Sequence, residues 1–380
     1  MPSDLDLMRL ALRLARRGFG RTSPNPMVGA VLARRGAVLG RGWHHRAGWP
    51  HAEIEALRDA QKRGFRARGA TLYVTLEPCS TRGRTPPCTD AIIAAGIRRV
   101  VVAAADPNPA HAGRGLAILE RAGVRVSAGL LAGEAARMNE AFHHWIVHRT
   151  PLVTIKAAMS LDGKIATVTG QSRWITGPKA RDLGMKLRAG ADAILVGVNT
   201  VLADNPTLTV RLPGFKDKRW RRIILDPRAR TPLTAKVVSD RHAASTIVVV
   251  TNSAPPRRAA ALGRRVRLLR APARAGVINL RWLLGKLGRE DITSLLVEGG
   301  GETNAAFLSA GLAGRAAFFY APLVLGGRAA PKAVAGRGFD KLGRAPVLRE
   351  ARWRRLGADL FCAASLPETA WKDNYVYRNH

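Results

Sequence analysis

The chain is predicted to form two successive α/β domains, and three features carry that prediction. Its 380 residues suit about two domains of the usual ~100–200 residues each. Short apolar runs alternate with helix-period segments over residues 3–104 and again from residue 152, the pattern of open sheets covered on both faces. Between the two series Arg149-Thr150-Pro151 breaks the pattern, which places the domains at 1–148 and 152–380.

Each element follows from spacing. Leu7, Leu10, Ala11, Leu14 and Ala15 recur at helical period over 3–17, with Ser3 as N-cap and Gly18 just past the end. After Ser23-Pro24-Asn25-Pro26, an apolar run at 27–33 and a second at Val38-Leu39 read as strands paired across Arg34-Arg35-Gly36. Next come a helix at about 51–63, a strand at 71–76, a loop ending Pro86-Pro87, a helix at about 88–95 and a strand at 99–104. The second domain opens with a strand at 152–158, followed by strands at 193–196, 222–225, 246–250, 294–297 and 316–320. An Ala/Arg-rich stretch around 254–275 reads as a loose surface helix, and Ala370 to His380 as a frayed tail.

Composition narrows the partners. Lys plus Arg number 62 against 27 Asp plus Glu, a formal charge of +35, of which +12 falls on residues 1–150 and +23 on the remaining 230. The excess is therefore not a basic tail. It admits nucleic acid, an anionic membrane surface or a phosphorylated small molecule as partner, and equally an Arg-rich composition that decorates every exposed face. The start, Met1-Pro-Ser-Asp-Leu-Asp, has acidic residues where a secretory signal carries positive charge, and no apolar run approaches the ~18 residues of a membrane span. A cytoplasmic protein with no membrane partner is expected. Three cysteines cannot build a disulfide framework, so the clustered pair Cys79 and Cys88 points to metal binding or catalysis.

His51-Ala52-Glu53 opens a helix, Pro78-Cys79 follows a strand, and Cys88 opens the next helix after Pro87. One imidazole and two thiolates make a three-ligand zinc set that leaves the fourth position for water, as a catalytic site requires. A helix N-terminus favours the thiolate at Cys88. Zinc lowers the pKa of bound water to about 7, and Glu53 stands close enough to move protons without being a ligand. His-x-Glu followed by Pro-Cys and a second Cys is the signature of zinc-dependent nucleobase deaminases. The loop between the cysteines is longer than Cys-x-x-Cys and carries Arg82 and Arg84, placed to hold an anionic substrate group.

Thr75-Leu-Glu-Pro-Cys-Ser80 with Gly83-Arg-Thr-Pro-Pro-Cys88, preceded by Pro24-Asn-Pro26 and Gly42-Trp-His44, closely resembles the deaminase half of the bifunctional riboflavin-biosynthesis family, the diaminohydroxyphosphoribosylaminopyrimidine deaminase/reductases. The resemblance implies a cytidine-deaminase-like three-layer domain, with Asn25 and His44 in the pyrimidine and ribose-phosphate pocket. Two positions depart from the family: Thr81 stands where it usually has His, and Trp49 where it usually has an acidic residue.

The second domain begins Lys156-Ala-Ala-Met-Ser-Leu-Asp-Gly-Lys164 and ends its motif series with Val297-Glu-Gly-Gly-Gly-Glu302, a strand running into glycines and a helix. Such a junction can present backbone N–H groups to a phosphate, and a tight loop with no ligand uses the same residues. Together with Ser172-Arg-Trp-Ile-Thr-Gly177, Gly197-Val-Asn-Thr200 and Leu208-Thr-Val-Arg211, these blocks resemble the reductase half of the same family from residue 152 to about 330. The resemblance implies a dihydrofolate-reductase-like α/β domain that takes NADPH. Gly300, Gly301, Glu302, Thr303 and Asn304 then match the pyrophosphate cradle, and Ala158, Trp174, Thr200 and Asp204 other cofactor positions. Ser172, Arg188, Leu208, Arg211 and Glu298 match positions at the phosphoribosyl substrate.

The expected function is therefore zinc-dependent deamination of a phosphoribosylaminopyrimidine followed by NADPH-dependent reduction of its ribosyl group, in a homo-oligomer as the resemblance implies. Two readings compete with it. A nucleic-acid deaminase with an accessory domain would suit the charge, but the long Cys79 to Cys88 loop, the 6% aromatic content and the second series of motifs oppose it. A paralogue with one active domain is opposed by the presence of His51, Glu53, Cys79 and Cys88 together.

Overall fold

Ser3 starts the first helix as its sequence dictates. Its hydroxyl accepts the Asp6 N–H while the Asp6 carboxylate accepts the Ser3 N–H, closing a capping box on α1 (Asp4–Ala15). In this computed structural model the described residues are 1–81, 86–108, 111–215, 218 and 220–367, and the chain divides into two units, Met1–Arg149 and Thr150–His380. Arg82, Arg84 and the segment 370–380 lie outside the described residues.

The first unit continues with β1 (Gly29–Arg34), β2 (Ala37–Trp43), α2 (Ala52–Lys62), β3 (Thr71–Leu76), α3 (Cys88–Ala94), β4 (Arg99–Ala104), α4 (Arg114–Arg121), β5 (Arg125–Ala128), α5 (Ala132–Met138) and α6 (Glu140–His148). Its sheet runs β2-β1-β3-β4-β5, with β1 antiparallel to both neighbours and β3, β4 and β5 parallel. Strand periodicity sorts the core into two layers. Ala30, Leu32, Leu72, Val74, Val100 and Val102 face α2, α3 and α4, whereas Val31, Ala33, Tyr73, Val101 and Ala103 face α1 and α5. Both layers are fully buried, giving helices on both faces of one sheet.

The approach of α2 to β2 is set by two glycines. A Cβ on Gly40 would stand 2.2 Å from the Ala56 carbonyl oxygen, and one on Gly42 2.2 Å from that of Ala52. Helix backbone therefore lies directly on strand backbone, and this contact fixes where the helix begins.

The second unit comprises β6 (Leu152–Ser160), α7 (Pro178–Gly190), β7 (Ala193–Gly197), α8 (Val198–Asp204), β8 (Arg221–Leu225), α9 (Lys236–Ser239), β9 (Thr246–Val250), α10 (Pro256–Gly263), β10 (Arg267–Arg270), the short pair β11 (Ala273–Arg274) and β12 (Val277–Ile278), α11 (Leu280–Gly288), β13 (Ser294–Val297), α12 (Gly301–Ser309), β14 (Arg315–Ala321), β15 (Arg349–Leu356) and β16 (Asp359–Ser365). Nine strands form one sheet in the order β10-β9-β8-β7-β13-β6-β14-β16-β15, parallel as far as β14 and antiparallel at the last two. Ala193, Leu195, Ile223, Ile247 and Val249 pack toward α11 and α12, while Ile194, Val196, Ile224, Val248 and Val250 pack toward α7 to α10.

The stretch 254–275 is not a single loose helix. Only α10 is helical, it buries Ala259 and Leu262, and β10 then pairs parallel with β9. Leu268 and Leu269 pack on opposite sides of the sheet, a two-residue period that overrides the Ala/Arg composition. The hairpin β15–β16, the strand β5 and the helices α4 to α6 have no counterpart in the sequence expectations. In β15 seven of eight residues are exposed, so its alternation carries no apolar signal.

Candidate active sites

Three chain segments converge in the first unit. His51 is the N-cap of α2, its side chain making no capping bond, so the imidazole is free to turn toward the end of β3. Cys88 is the first residue of α3 after Pro87, and Cys79 stands three residues beyond β3. His51 Nδ1 lies 3.4 Å from Cys79 Sγ and 3.3 Å from Cys88 Sγ, and all three ligand atoms fall within 4.8 Å of one another. A tetrahedral ion with bonds of about 2.0–2.3 Å spaces such atoms about 3.5–3.8 Å apart, so this donor set fits zinc after a minor adjustment.

The electrostatics favour the same occupant. The hydrogen bond from Cys88 draws the Cys79 thiol well down, burial opposing it, while the same hydrogen bond and burial push the Cys88 thiol up. Two thiols this close cannot both ionise unless a cation lies between them. The Cys88 backbone N–H also donates to Cys79 Sγ at 3.3 Å.

Glu53, 3% exposed, sits in the first turn of α2 beside this cluster. Burial pushes its carboxyl up and the His51 charge partly counters it, which suits a group that takes and returns a proton. Asn25 and His44 join the site as well. His44 Nδ1 lies 3.1 Å from the Pro50 carbonyl oxygen, so it carries the proton and leaves Nε2 to accept from Asn25 Nδ2 at 3.1 Å. The His44 ring meets His51 edge-on with centroids 5.4 Å apart.

Glu77, which the sequence reading passed over, fastens the ligand loop. Its buried carboxylate accepts N–H bonds from Asp106, Gly113 and Gly115 at 3.1, 2.9 and 2.9 Å. A Cβ on Gly115 would stand 2.3 Å from the Pro78 carbonyl oxygen, so the segment bearing Cys79 is packed backbone to backbone. The signal was present as the acid in Thr75-Leu-Glu-Pro-Cys79, but its partners are distant in sequence.

In the second unit a cleft of about 470 Å³ gathers most of the expected reductase residues. Ala158 comes from β6, Ser172 and Trp174 from the following loop, Thr200 and Asp204 from α8, and Leu208 and Arg211 from the segment after it. Arg188 of α7 and Glu298 beyond β13 also line it, but they face each other. Arg188 Nε lies 3.0 and 3.1 Å from the two Glu298 oxygens, Nη2 donates to the same carboxylate, and Nη1 donates to the Thr209 carbonyl oxygen at 3.1 Å. Burial opposes ionisation of Glu298, yet the charges of Arg188 and Lys156 hold it down to about 2. Most of the Arg188 guanidinium is thus consumed within the protein, and Arg173, Arg211, Lys156 and Lys236 supply the cleft's other cations. Lys156 and Lys236 were not among the expected residues; both are ordinary lysines in sequence and only the fold brings them together.

The glycine cluster divides by role. A Cβ on Gly299 would stand 2.6 Å from Thr303 Cβ, and one on Gly301 2.3 Å from the Lys332 carbonyl oxygen, so both serve close packing. Gly300, the N-cap of α12, meets only Thr200 Oγ1 at 4.0 Å and opens to the cleft. The Glu302 and Asn304 side chains turn away from the cleft onto 333–336, accepting Gly336 N–H and donating to the Ala333 carbonyl oxygen, and Thr303 packs on Gly197. Asn304 Oδ1 is buried with no partner among the described residues. An open N-cap glycine, N–H groups of a helix first turn and an excess of cations are what a phosphate-bearing cofactor requires.

Comparison with known proteins now bears on both units. The family described as "RibD C-terminal domain" matches residues 151–362, and "Cytidine and deoxycytidylate deaminase zinc-binding region" matches residues 1–104. The riboflavin biosynthesis protein RibD of Aquifex aeolicus is 43% identical over 94% of this chain and 97% of its own. The chain belongs to the RibD family. The RibD of Escherichia coli is 41% identical over 93% of this chain and 96% of its own. A solved structure of Acinetobacter baumannii RibD superposes with a TM-score of 0.84 at 36% identity, covering 96% of this chain and 98% of that one. A Thermotoga maritima structure titled diaminohydroxyphosphoribosylaminopyrimidine deaminase/5-amino-6-(5-phosphoribosylamino)uracil reductase does so with a TM-score of 0.83 at 33% identity, covering 96% and 98%. This RibD-family chain is a bifunctional riboflavin-biosynthesis enzyme, a cytidine-deaminase-like domain followed by a dihydrofolate-reductase-like one. Among the described residues no helix is long and apolar enough to cross a membrane.

Proposed function

We propose that residues 1–148 hydrolytically deaminate 2,5-diamino-6-(5-phosphoribosylamino)pyrimidin-4(3H)-one, and that residues 152–380 then reduce the ribosyl group of the product to ribityl. The observation that carries the first half is the buried carboxylate of Glu53 beside the three-ligand cluster of His51, Cys79 and Cys88. When bound there, zinc supplies a water that ionises near neutral pH. Glu53 would accept one proton of that water and pass it to the ring nitrogen, then take the proton of the newly added hydroxyl and give it to the departing amine, one group acting as base and then as acid. A C–O bond forms, the C–N bond breaks and ammonia leaves. Asn25 and His44, locked in one tautomeric arrangement, orient the substrate against His51.

In the second half NADPH, when bound, supplies a hydride. The cleft would hold the nicotinamide beside C1′ of the ring-opened imine, whose C=N bond would become CH–NH with that hydride and a proton from water. Gly300 and the first turn of α12 take the cofactor pyrophosphate, while Trp174, Thr200 and Asp204 border it. Arg211, Lys156 and Lys236 take the substrate phosphate, and the Arg188–Glu298 pair shapes the wall behind it. We place the enzyme in the cytoplasm as a homo-oligomer that takes a small phosphorylated molecule rather than nucleic acid.

The test uses the purified chain with the pyrimidine phosphate. NADPH consumption should follow ammonia release, and Glu53→Gln should slow deamination by about 10²–10⁴-fold while leaving reduction of pre-deaminated substrate intact. Deamination at the wild-type rate in Glu53→Gln would overturn the assignment.

A further inference from the structure

We propose that Arg222, with Trp220 beside it, is a positioning residue for the phosphate end of the reductase cleft, holding the wall at 207–211 by its backbone carbonyls. The inference rests on the reading of that cleft as the reductase site.

Arg222 lies on β8 with 0% exposure, followed along the strand by the buried Ile223 and Ile224. Its five N–H donors are all used. Nε donates to Thr246 Oγ1 at 2.8 Å, Nη1 to the Thr207 carbonyl oxygen at 2.9 Å and Asp240 Oδ2 at 2.7 Å, and Nη2 to the Val237 carbonyl oxygen at 2.9 Å and Asp240 Oδ1 at 2.8 Å. Stability alone does not call for such a group, because a buried ion pair is often replaced by packed apolar side chains at no cost. What an apolar residue here could not do is grip Thr207.

Two further bonds continue along the same wall. The Leu208 carbonyl oxygen accepts Trp220 Nε1 at 3.0 Å, and that of Thr209 accepts Arg188 Nη1 at 3.1 Å. Three successive carbonyls are thus held, two by residues behind the wall and the third by Arg188 of the cleft lining, which keeps Leu208 in a left-handed conformation, φ +49°, that a bulky residue avoids on its own. The held residue reaches the front of the cleft directly: Arg211 Nη1 donates to Thr207 Oγ1 at 3.4 Å. The Arg222 guanidinium also binds α9, whose Lys236 lines the cleft and donates its backbone N–H to Asn205 Oδ1 at 2.8 Å. One buried side chain therefore registers both cationic segments against each other.

The experiment uses the full-length chain and follows NADPH oxidation with 5-amino-6-(5-phosphoribosylamino)uracil and with its dephosphorylated counterpart. Arg222→Met removes every bond of the guanidinium, and Trp220→Phe removes only the donor to Leu208, so the second variant keeps the test alive should the first fail to fold. We expect Trp220→Phe to raise KM for the phosphorylated substrate about fivefold, roughly the worth of one hydrogen bond, and Arg222→Met to raise it more. kcat should change less than KM, and the KM for NADPH, the KM for the dephosphorylated substrate and the deamination rate should stay at wild-type values. A lowered Tm with unchanged KM, or an equal rise in KM on both substrates, would overturn the proposal by showing a merely structural role. A wild-type chain inert toward both substrates would overturn the functional reading itself, an outcome distinct from unchanged KM in active variants.

Discussion

The zinc cluster and the reductase cleft are assembled in opposite ways. Three residues at the mouths of two helices and one strand make the first, and their short motifs hold them close in sequence: His51 and Cys88 are 37 positions apart. The second draws on β6, α7, α8, the segment after it, α9 and the strand-to-helix turn at Gly300, with Lys156 and Gly300 separated by most of the domain. Its charged groups also neutralise one another, as Arg188 and Glu298 do. A site concentrated in a few ligands should fail completely at a single position, whereas a distributed one should fail by degrees and through stability.

The sharpest test of that contrast is Cys88→Ser. Metal analysis should fall from one zinc per chain to near none, and deamination should drop by about 10³-fold or more, because the ion supplies several kcal/mol of transition-state stabilisation. Reduction of pre-deaminated substrate should persist; its loss would break the contrast.

Glu298→Gln should give a smaller, pH-dependent effect in the second unit. The carboxyl titrates near 4.5 when unfolded and at about 2 when folded, so its stabilisation is complete above about pH 4.5 and lost as pH falls toward 2. Removing it should cost about 3 kcal/mol at neutral pH, a deficit that shrinks across that window. Urea denaturation followed between pH 7 and 2 reads the slope, and an unchanged deficit at pH 2 would count against the pair.

Gly42→Ala probes the first unit at a distance from its ligands. The added Cβ meets the Ala52 carbonyl oxygen, so overpacking should cost about 1–3 kcal/mol and displace the start of α2. Weaker zinc retention in a competition with a chelator is the expected signature, and wild-type retention would mean that α2 can shift without moving His51.

The same contrast explains what the sequence could reveal. His51, Glu53, Cys79 and Cys88 announce themselves because their chemistry is unusual at that spacing, and β1, β3 and β4 because a two-residue period of Ala, Val and Leu survives on both faces. Lys156, Lys236 and Arg222 are common residues that only tertiary structure assembles, and the pairing of Arg188 with Glu298 cannot be read from positions 110 residues apart. The strand β10 was hidden by an Ala/Arg-rich context that imitates a helix, and β15 by arginines along an exposed edge, a composition that discourages edge-to-edge association.

Backbone contact between α2 and β2 has a further consequence. Because a Cβ on Gly40 or Gly42 would run into the backbone carbonyls of Ala56 and Ala52, no rotamer change can absorb a mutation there. Descendants of this chain can enlarge position 40 or 42 only if the helix moves as a body, carrying the metal ligand and the proton carrier with it. Inheritance should therefore treat a strand with no chemistry of its own as strictly as the ligands, and its contacts with α2 should drift together or not at all.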